Sequence, residues 1–233
     1  MLKGVELGSP FRGTGGSMKF FIDTANLAQI KEANELGILD GVTTNPSLMA
    51  KEGIKGNDAV MAHYKTICEM VRGDISAEVI STDFKGIVEE GKKLAAIHAN
   101  IVVKVPMIKD GVKAIKWFTD NGIRTNCTLC FSAGQAILAA KAGAAYISPF
   151  IGRIDDSGWD GVQLIEQIVQ IYSIQGYKTE VLAASIRNPN HIVQCARAGA
   201  DVCTCPLDSI LGLLKHPLTD IGLAKFLEDA KKM

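Results

Sequence analysis

The sequence lacks an excess of charge of either sign, and it lacks any long apolar run. Its 233 residues carry 25 Lys and Arg against 25 Asp and Glu, for a formal net charge of +0. No global basic field is therefore present to attract nucleic acid, although a few local arginines can still hold small acidic substrates. The apolar stretches are of strand length, well short of the roughly 20 residues needed to cross a bilayer. With 47% hydrophobic residues, the composition predicts a folded globular protein with no nucleic-acid or membrane partner.

A secretory signal is also missing from the sequence. Residues 1–17 are rich in Gly and Ser and contain no apolar core, so we interpret them as a vector-derived leader. Residues 18–233 contain no low-complexity linker and are predicted to form a single domain. We expect a cytoplasmic protein on this basis.

Clustered metal ligands are lacking as well. The four histidines show neither HxH nor HExxH spacing, which gives a metal site little support. Cys127 and Cys130 form a CxxC pair, and Cys203 and Cys205 form a CxC pair, but both pairs lie in apolar, strand-like segments. We therefore expect buried, reduced thiols rather than a metal or redox centre.

What the sequence does contain is an alternation of short apolar runs with segments of helical periodicity. Eight such units in about 200 residues predict a closed parallel (β/α)₈ barrel of the TIM-barrel class. A doubly wound open sheet is the alternative, but a nucleotide-binding one would carry a glycine-rich first turn, which this chain lacks. The predicted strands are Lys19 to Asp23, Gly41 to Thr44, Ile75 to Ile80, Ile101 to Pro106, Arg124 to Leu129, Ala145 to Pro149, Glu180 to Ser185 and Asp201 to Cys205.

An additional amphipathic helix is predicted at the end of the chain. The segment His216 to Asp220 contains a break and a fresh N-cap, and the helix is expected over Ile221 to Lys232. Because the barrel is already complete, this helix either covers the barrel mouth or contacts a neighbouring subunit.

Lys104 is the most informative polar residue, because it interrupts the apolar strand Ile101 to Pro106 near its C-terminal end. Burying an ammonium group is costly, and a buried lysine that sheds its proton becomes a nucleophile toward carbonyl groups. This is the starting point of Schiff-base chemistry. The alternatives are that Lys104 reaches solvent from the strand end or pairs with a buried carboxylate.

Two carboxylates lie in comparable positions. Glu78 is a charge inside an apolar strand, and Lys104 on the following strand is a plausible partner for it, so a structural ion pair alone would explain both residues. Asp23 ends the first strand, where barrel enzymes place acids and bases, but it also precedes a helix and is a candidate N-cap.

Further polar side chains fall near the ends of other predicted strands, where they suggest a common site. Arg153 and Arg187 follow strands 6 and 7, and the forked guanidinium group suits phosphate, although a solvated surface arginine is the alternative for Arg187. The uncharged candidates are Thr43, Thr44, Asn45, Asn126, Thr128, Ser148 and Ser185.

Several of these residues lie in longer motifs that resemble one family. The chain resembles the transaldolases, most closely the small, barrel-only branch that also contains the fructose 6-phosphate aldolases, and the resemblance runs from Met18 to the C-terminus. The motifs that carry it are Phe21-Ile22-Asp23-Thr24, Val42-Thr43-Thr44-Asn45-Pro46-Ser47-Leu48, Ala77-Glu78-Val79, Val102-Val103-Lys104-Val105-Pro106, Thr125-Asn126-Cys127-Thr128-Leu129, Ile147-Ser148-Pro149-Phe150-Ile151-Gly152-Arg153-Ile154-Asp155 and Ala183-Ala184-Ser185-Ile186-Arg187-Asn188.

The resemblance implies a cofactor-free Schiff-base mechanism acting on sugar phosphates, as in the pentose phosphate pathway. It implies that Lys104 condenses with the C2 carbonyl of a ketose phosphate and that Asp23 removes the C4 hydroxyl proton. It implies that Glu78 and Thr128 handle a catalytic water.

The resemblance also implies a binding role for the remaining candidates. Asn45 and Asn126 match residues that hold the dihydroxyacetone unit, with Thr43 and Ser148 nearby. Arg153, Ser185 and Arg187 match the phosphate site. The small branch forms ring-shaped assemblies, commonly decamers, so the resemblance implies a homo-oligomer.

Two positions distinguish transfer of the three-carbon unit from its release. By resemblance, transaldolases have Glu and Phe where the aldolases have Gln and Tyr, and this chain has Glu78 and Phe150. Because Phe150 has no hydroxyl to position a water or a proton, we favour transfer. A fructose 6-phosphate aldolase and a non-catalytic sugar-phosphate-binding barrel remain as alternatives.

Overall fold

A computed structural model describes residues 17–233 of the chain. The predicted leader therefore lies outside the described residues except for its last position. Among residues 17–233, no helix has the length and apolar character required to span a membrane.

Eight parallel strands form a closed barrel in which each strand pairs with the next and the last pairs with the first. Closure is explicit in the register, where Lys19 lies opposite Val202 and Ile22 lies opposite Cys205. The predicted barrel is confirmed, and the open-sheet alternative is wrong. The strands are β1 (Lys19–Asp23), β2 (Gly41–Thr43), β3 (Asp74–Glu78), β4 (Ile101–Pro106), β5 (Thr125–Cys130), β6 (Tyr146–Pro149), β7 (Glu180–Ala183) and β8 (Val202–Cys205).

All eight predicted strands are present; β1 and β4 have the predicted bounds, and the ends of the other six differ from the prediction by one or two residues. Strand β3 ends before Ile80, which is 72% exposed. Strand β7 ends before Ser185, which has a left-handed backbone with φ of 61°. An apolar residue beyond a strand end extends the apparent pattern, so sequence periodicity overestimates the strand length there.

Residues 17–233 contain eleven helices, and most of them begin with a side-chain cap. Helix α1 is capped by Asn26, whose side chain accepts a hydrogen bond from the Gln29 amide at 3.0 Å. The cap interpretation of Asp23 is therefore wrong. The helices are α1 (Leu27–Glu35), α2 (Pro46–Lys51), α3 (Asn57–Met70), α4 (Phe84–Ala95), α5 (Lys109–Asp120), α6 (Ala133–Ala142), α7 (Ile151–Asp156), α8 (Gly161–Gln175), α9 (Pro189–Ala198), α10 (Leu207–Gly212) and α11 (Pro217–Ala230).

The last helix begins four residues earlier than predicted. His216 is its N-cap and Pro217 occupies the first turn, where a proline loses no helical hydrogen bond. None of the α11 residues is buried. The prediction that α11 covers its own barrel mouth is therefore wrong, which leaves contact with another molecule as the other alternative.

The apolar core consists of a large layer and a small one. The large layer lies between the outward faces of the strands and the helices. The small layer lies inside the barrel and comprises Phe21, Val102, Tyr146, Leu182, Ala184 and Val202. A side chain at Gly41 would lie 2.6 Å from the Phe21 ring, so this glycine makes room for that ring inside the barrel.

Candidate active site

The position of the site follows from the way side chains alternate between the two faces of each barrel strand. Phe21, Val102 and Val202 fill the small inner layer, and residues two positions further along the same strands face the same side. Those residues are Asp23, Lys104 and Thr204, so the interior changes from apolar to polar toward the C-terminal ends of the strands. This is the end at which barrel enzymes carry their active sites.

A cavity of about 290 Å³ opens at this end of the barrel. Nine of the thirteen candidate residues line it, and the other four are Thr44 after β2, Glu78 on β3, and Asn126 and Thr128 on β5. The lining residues are Asp23, Thr43, Asn45, Ser47, Leu48, Lys51, Lys104, Ser148, Phe150, Arg153, Ala184, Ser185, Arg187 and Thr204.

Lys104 is buried in β4, with only 4% of its surface exposed. Its Nζ lies 3.1 Å from Glu78 Oε2 and donates a hydrogen bond to the Thr44 carbonyl oxygen at 2.9 Å. The two charged residues lie directly opposite each other in the β3 and β4 register, so the predicted ion pair is confirmed. The solvent-reaching alternative for Lys104 is wrong. An ion pair alone does not account for the position of Lys104 on a cavity wall.

Asp23 faces the same cavity from β1 and accepts the last hydrogen bond of a short chain of hydroxyl groups. Thr43 Oγ donates to Asp23 Oδ1 at 2.7 Å, and Thr43 Oγ lies 2.6 Å from Thr204 Oγ. Because a hydroxyl has one proton, Thr204 must donate to Thr43 in this arrangement. Burial raises the pKa of Asp23 above its usual 3.8, while Lys104 and the Thr43 hydrogen bond act in the opposite direction.

Strands β5 and β6 supply a second polar network. Ser148 Oγ donates to Asn126 Oδ1 at 2.7 Å, and Asn126 Nδ2 donates to Ser76 Oγ at 3.0 Å. The Thr128 hydroxyl is buried and has no hydrogen-bond partner among residues 17–233. The Thr125 hydroxyl on the same strand is likewise unpartnered, but only Thr128 shares the strand face of Asn126, so Thr128 fits a group that completes its hydrogen bonding when substrate or water is bound.

The two predicted arginines lie side by side after β6 and β7. The Arg153 guanidinium packs over the Phe150 ring at 4.8 Å, and Arg187 Nη2 forms an ion pair with Asp156 at 2.7 Å. Both arginines line the cavity, but the Arg187 side chain is also 52% exposed, so its position fits the surface alternative as well as a role at the cavity. A side chain at Gly152 would lie 2.2 Å from the Ser185 carbonyl oxygen, so only glycine permits this close approach of the two loops.

Asn45 has a structural contact in addition to its place on the cavity wall. Its Oδ1 accepts a hydrogen bond from the Leu48 amide at 2.9 Å and caps α2. Thr44 directly follows strand β2. Its hydroxyl lies 2.8 Å from the Tyr64 hydroxyl and does not line the cavity. The expectation that Thr44 contributes its side chain to the site is therefore wrong.

Sequence reasoning missed Thr204 and Lys51, both of which line the cavity. Thr204 is a polar residue inside the apolar strand β8, so the criterion that identified Lys104 and Glu78 would also have found it. Lys51 is an exposed residue at the end of α2, and nothing in its local sequence distinguishes it from a solvated lysine.

All six cysteines are buried and unbridged, as expected. Burial raises the pKa of Cys130 to about 11 and raises that of Cys127 still further, which makes both thiols poor nucleophiles. The part of the chain described by the structure contains no cluster of three or more His, Cys, Asp or Glu side chains suited to a metal ion.

The comparison with known proteins identifies the family. A family model described as Transaldolase/Fructose-6-phosphate aldolase matches residues 20–233. This chain belongs to that family. The chain is also 70% identical over 216 residues to a probable transaldolase of Cytophaga hutchinsonii, covering 93% of this chain and 99% of that protein. It is 68% identical over 216 residues to a probable transaldolase of Parabacteroides distasonis, with the same shares covered.

Membership of the transaldolase/fructose-6-phosphate aldolase family confirms the resemblance inferred from the motifs. Solved structures of lower identity share the fold alone. A 2,3-dimethylmalate lyase structure matches with a TM-score of 0.58 at 12% identity, covering 93% of this chain and 83% of that one. A putative fructose-1,6-biphosphate aldolase from Coccidioides immitis matches with a TM-score of 0.56, also at 12% identity, covering 83% of this chain and 75% of that one.

Proposed function

We propose that this chain is a transaldolase that transfers a dihydroxyacetone unit from a ketose phosphate to an aldose phosphate through a Schiff base on Lys104. The observation that carries the proposal is the placement of a buried lysine on the cavity wall, 3.1 Å from one carboxylate. Asp23 provides a second carboxylate at the same cavity. The family and the named relatives support the same activity.

In the first step, Lys104 passes a proton to Glu78, and the resulting amine attacks the C2 carbonyl of the ketose phosphate. The resulting carbinolamine loses its hydroxyl as water and becomes an iminium ion. Glu78 is in contact with Lys104 and is suited to receive and return the protons of this step. The unpartnered Thr128 hydroxyl is suited to hold the departing water.

In the second step, Asp23 removes the C4 hydroxyl proton. The C3 to C4 bond breaks, its electron pair moves into the iminium to give an enamine, and an aldose phosphate leaves. A general base works best when its pKa approaches the operating pH, and the raised pKa of Asp23 moves in that direction. The enamine then attacks an acceptor aldehyde, and hydrolysis of the new iminium ion releases the product and Lys104.

The remaining residues hold the substrate. The linked amide and hydroxyl of Asn126 and Ser148, together with Thr43, offer hydrogen bonds to the dihydroxyacetone unit, and Asn45 lies beside them. Arg153 and Arg187 offer guanidinium donors to the phosphate, with Ser185 between the two loops. None of these steps requires a cofactor.

A fructose 6-phosphate aldolase on the same site is the second candidate function, since the two activities differ only in the fate of the enamine. Phe150 favours transfer, because its ring is covered by Arg153 and Phe131 and presents no hydroxyl to a water. A non-catalytic binding barrel is disfavoured, because a binding protein has no need of a buried amine beside two carboxylates.

The decisive experiment measures release of glyceraldehyde 3-phosphate from fructose 6-phosphate with and without erythrose 4-phosphate. Release that depends on the acceptor is expected for a transaldolase, and equal release without it would identify an aldolase. Phe150→Tyr should raise the acceptor-independent fraction. Borohydride reduction in the presence of fructose 6-phosphate should attach a three-carbon adduct to Lys104, detectable by peptide mass. The absence of both release and adduct would contradict either enzyme.

The oligomeric state belongs to the same proposal. Helix α11 exposes Leu218, Ile221, Leu223, Phe226 and Leu227, each at least 56% exposed. An isolated helix with this much exposed apolar surface is best explained by contact with another molecule. A homo-oligomer of this chain, a decamer by resemblance, is the partner we propose. Light scattering should report a mass several times 24.9 kDa, and Phe226→Ser should lower it.

The cellular compartment and the domain boundaries are also part of the proposal. Six buried, unbridged thiols suit a reducing compartment, so a cytoplasmic enzyme is our proposal. Residues 18–233 are expected to act as a single domain. Removal of residues 1–17 should leave transfer activity unchanged.

A further inference from the structure

One cation at the cavity has no place in the mechanism above. Lys51 is the last residue of α2, it is exposed, and it lines the cavity that contains Lys104 and Asp23. Its ammonium group forms no direct hydrogen bond or ion pair with residues 17–233, although its positive charge acts to lower the pKa of Asp23 across the cavity. The two arginines at the cavity each have a direct side-chain partner, since Arg153 packs over Phe150 and Arg187 pairs with Asp156.

Lys51 also lines a second cavity of about 390 Å³ that adjoins the first. The residues common to both cavities form the boundary between them, and they are Asp23, Leu48, Lys51, Ser185 and Arg187. Two cations from different loops therefore share this boundary with the proposed base. The residues lie on three separate segments of the chain, so only the closed barrel brings them together.

The length of a ketose phosphate places its phosphate near this boundary. Its C2 atom is bonded to Lys104 in the Schiff base, and its C4 hydroxyl lies at Asp23. The phosphate on C6 follows two carbons beyond Asp23. The second cavity also carries Glu52 and Asp208, whose charge disfavours an anion further inside it. The phosphate is thus expected at the boundary, within the field of the cations.

We propose that Lys51 binds the phosphate group of the sugar substrate across from Arg187 and so sets the preference for phosphorylated over unphosphorylated sugars. This inference rests on the proposed function, because it assumes that the substrate is attached at Lys104. Lys51 has no hydrogen-bonded partner to release before it contacts the phosphate, and its charge also acts on Asp23 at the same boundary.

The test compares Lys51→Met with Lys55→Met, a matched exposed lysine that lines neither cavity. For Lys51→Met, KM for fructose 6-phosphate should rise about 10- to 100-fold, the range expected for loss of one charged hydrogen bond. Turnover of unphosphorylated fructose should change by a much smaller factor, because only the effect of the Lys51 charge on Asp23 is lost with that sugar. Lys51→Arg should retain most of the phosphate preference. Unchanged KM in Lys51→Met, or equal losses with both sugars, would overturn the inference.

A binding measurement separates this inference from the proposed function. Inorganic phosphate is titrated calorimetrically into wild type, Lys51→Met and Lys55→Met, with no turnover involved. Weaker phosphate binding in Lys51→Met alone is expected, and it would support the Lys51 site even if the wild type showed no transfer activity. Equal phosphate affinity in all three proteins would overturn the inference while leaving transfer activity unaffected.

Discussion

The two halves of the barrel interior are built from the same strands but have opposite character. In the N-terminal half, Phe21, Val102, Leu182 and Val202 pack as an apolar layer and are completely buried. Two residues further along β1, β4 and β8, the interior carries a carboxylate, an amine and a hydroxyl group around a cavity, whereas Leu182 on β7 is followed by the apolar Ala184. Because side chains alternate with a period of two, residues two positions apart on a strand face the same side. The barrel interior therefore changes from packed apolar side chains to functional groups within two residues.

The comparison also separates stability from function. Burial of apolar side chains stabilises the N-terminal half. The C-terminal half contains a buried ion pair, a carboxylate with a raised pKa and an unpartnered hydroxyl, each of which stabilises the fold less than a well-packed apolar group would. Substitutions in the two halves should therefore have distinct effects.

The largest effect is expected for Lys104→Met, which removes the proposed nucleophile from the C-terminal half. Transfer activity should fall at least about 10³-fold, because the remaining groups cannot form the covalent intermediate. The measurement is kcat/KM with fructose 6-phosphate and erythrose 4-phosphate.

The matched control is Lys19→Met, since Lys19 also forms an ion pair, with Glu180 at 2.8 Å, but at the other end of the barrel. Its activity per folded molecule should be close to that of wild type. Retention of full turnover by Lys104→Met would refute the Schiff-base mechanism.

The next effect is expected in the N-terminal half. Leu182→Ala leaves a cavity in the inner apolar layer and should lower the free energy of unfolding by about 2–5 kcal/mol. Activity per folded molecule should remain near wild type, because the change lies below the site. Urea unfolding and kcat measure the two quantities, with the 67% exposed Leu214→Ala as the control. A large loss of kcat would show that the two halves are not separable.

A smaller effect is expected for Thr204→Val, which removes the donor to Thr43 but keeps the side-chain shape. Thr43 then loses one of its two hydroxyl contacts and holds Asp23 less firmly. We expect kcat/KM to fall about 10-fold, in line with about 1.5 kcal/mol for one hydrogen bond. Thr204→Ser should restore most of the activity, and an unaffected Thr204→Val would remove Thr204 from the site.

The smallest effect concerns stability and has a defined pH dependence. Because its pKa is raised in the folded protein, Asp23 stabilises the fold fully below its ordinary value of 3.8 and loses this contribution as pH rises through the raised value. Asp23→Asn should therefore raise Tm at pH 7, by about 2–4 °C for each kcal/mol, while abolishing transfer.

The same substitution should give no Tm gain below pH 3.8, where the wild-type carboxyl is itself protonated. Calorimetry across pH 3.5 to 8 measures the difference. A constant difference over this range would show that ionisation of Asp23 is not its cause.

Much of the site was predictable because polar residues stand out in strands that must be apolar on both faces. Lys104, Glu78 and Asp23 were found in this way, and their motifs indicated the family. The same criterion was available for Thr204 but was not applied to it. It could not identify Lys51, because an exposed helical lysine is ordinary until the fold places it beside a cavity.

The sequence by itself determined the eight strands, the barrel and the residues that interrupt the apolar pattern, because alternation and helical periodicity are local properties. Only the tertiary structure decided which of these residues meet. The relay from Thr204 through Thr43 to Asp23 depends on the register between strands, and the same register selects the Glu78–Lys104 pair from the alternatives that the sequence leaves open. Closure also sets the register between the first and last strands, with Lys19 opposite Val202, and no local pattern encodes that register.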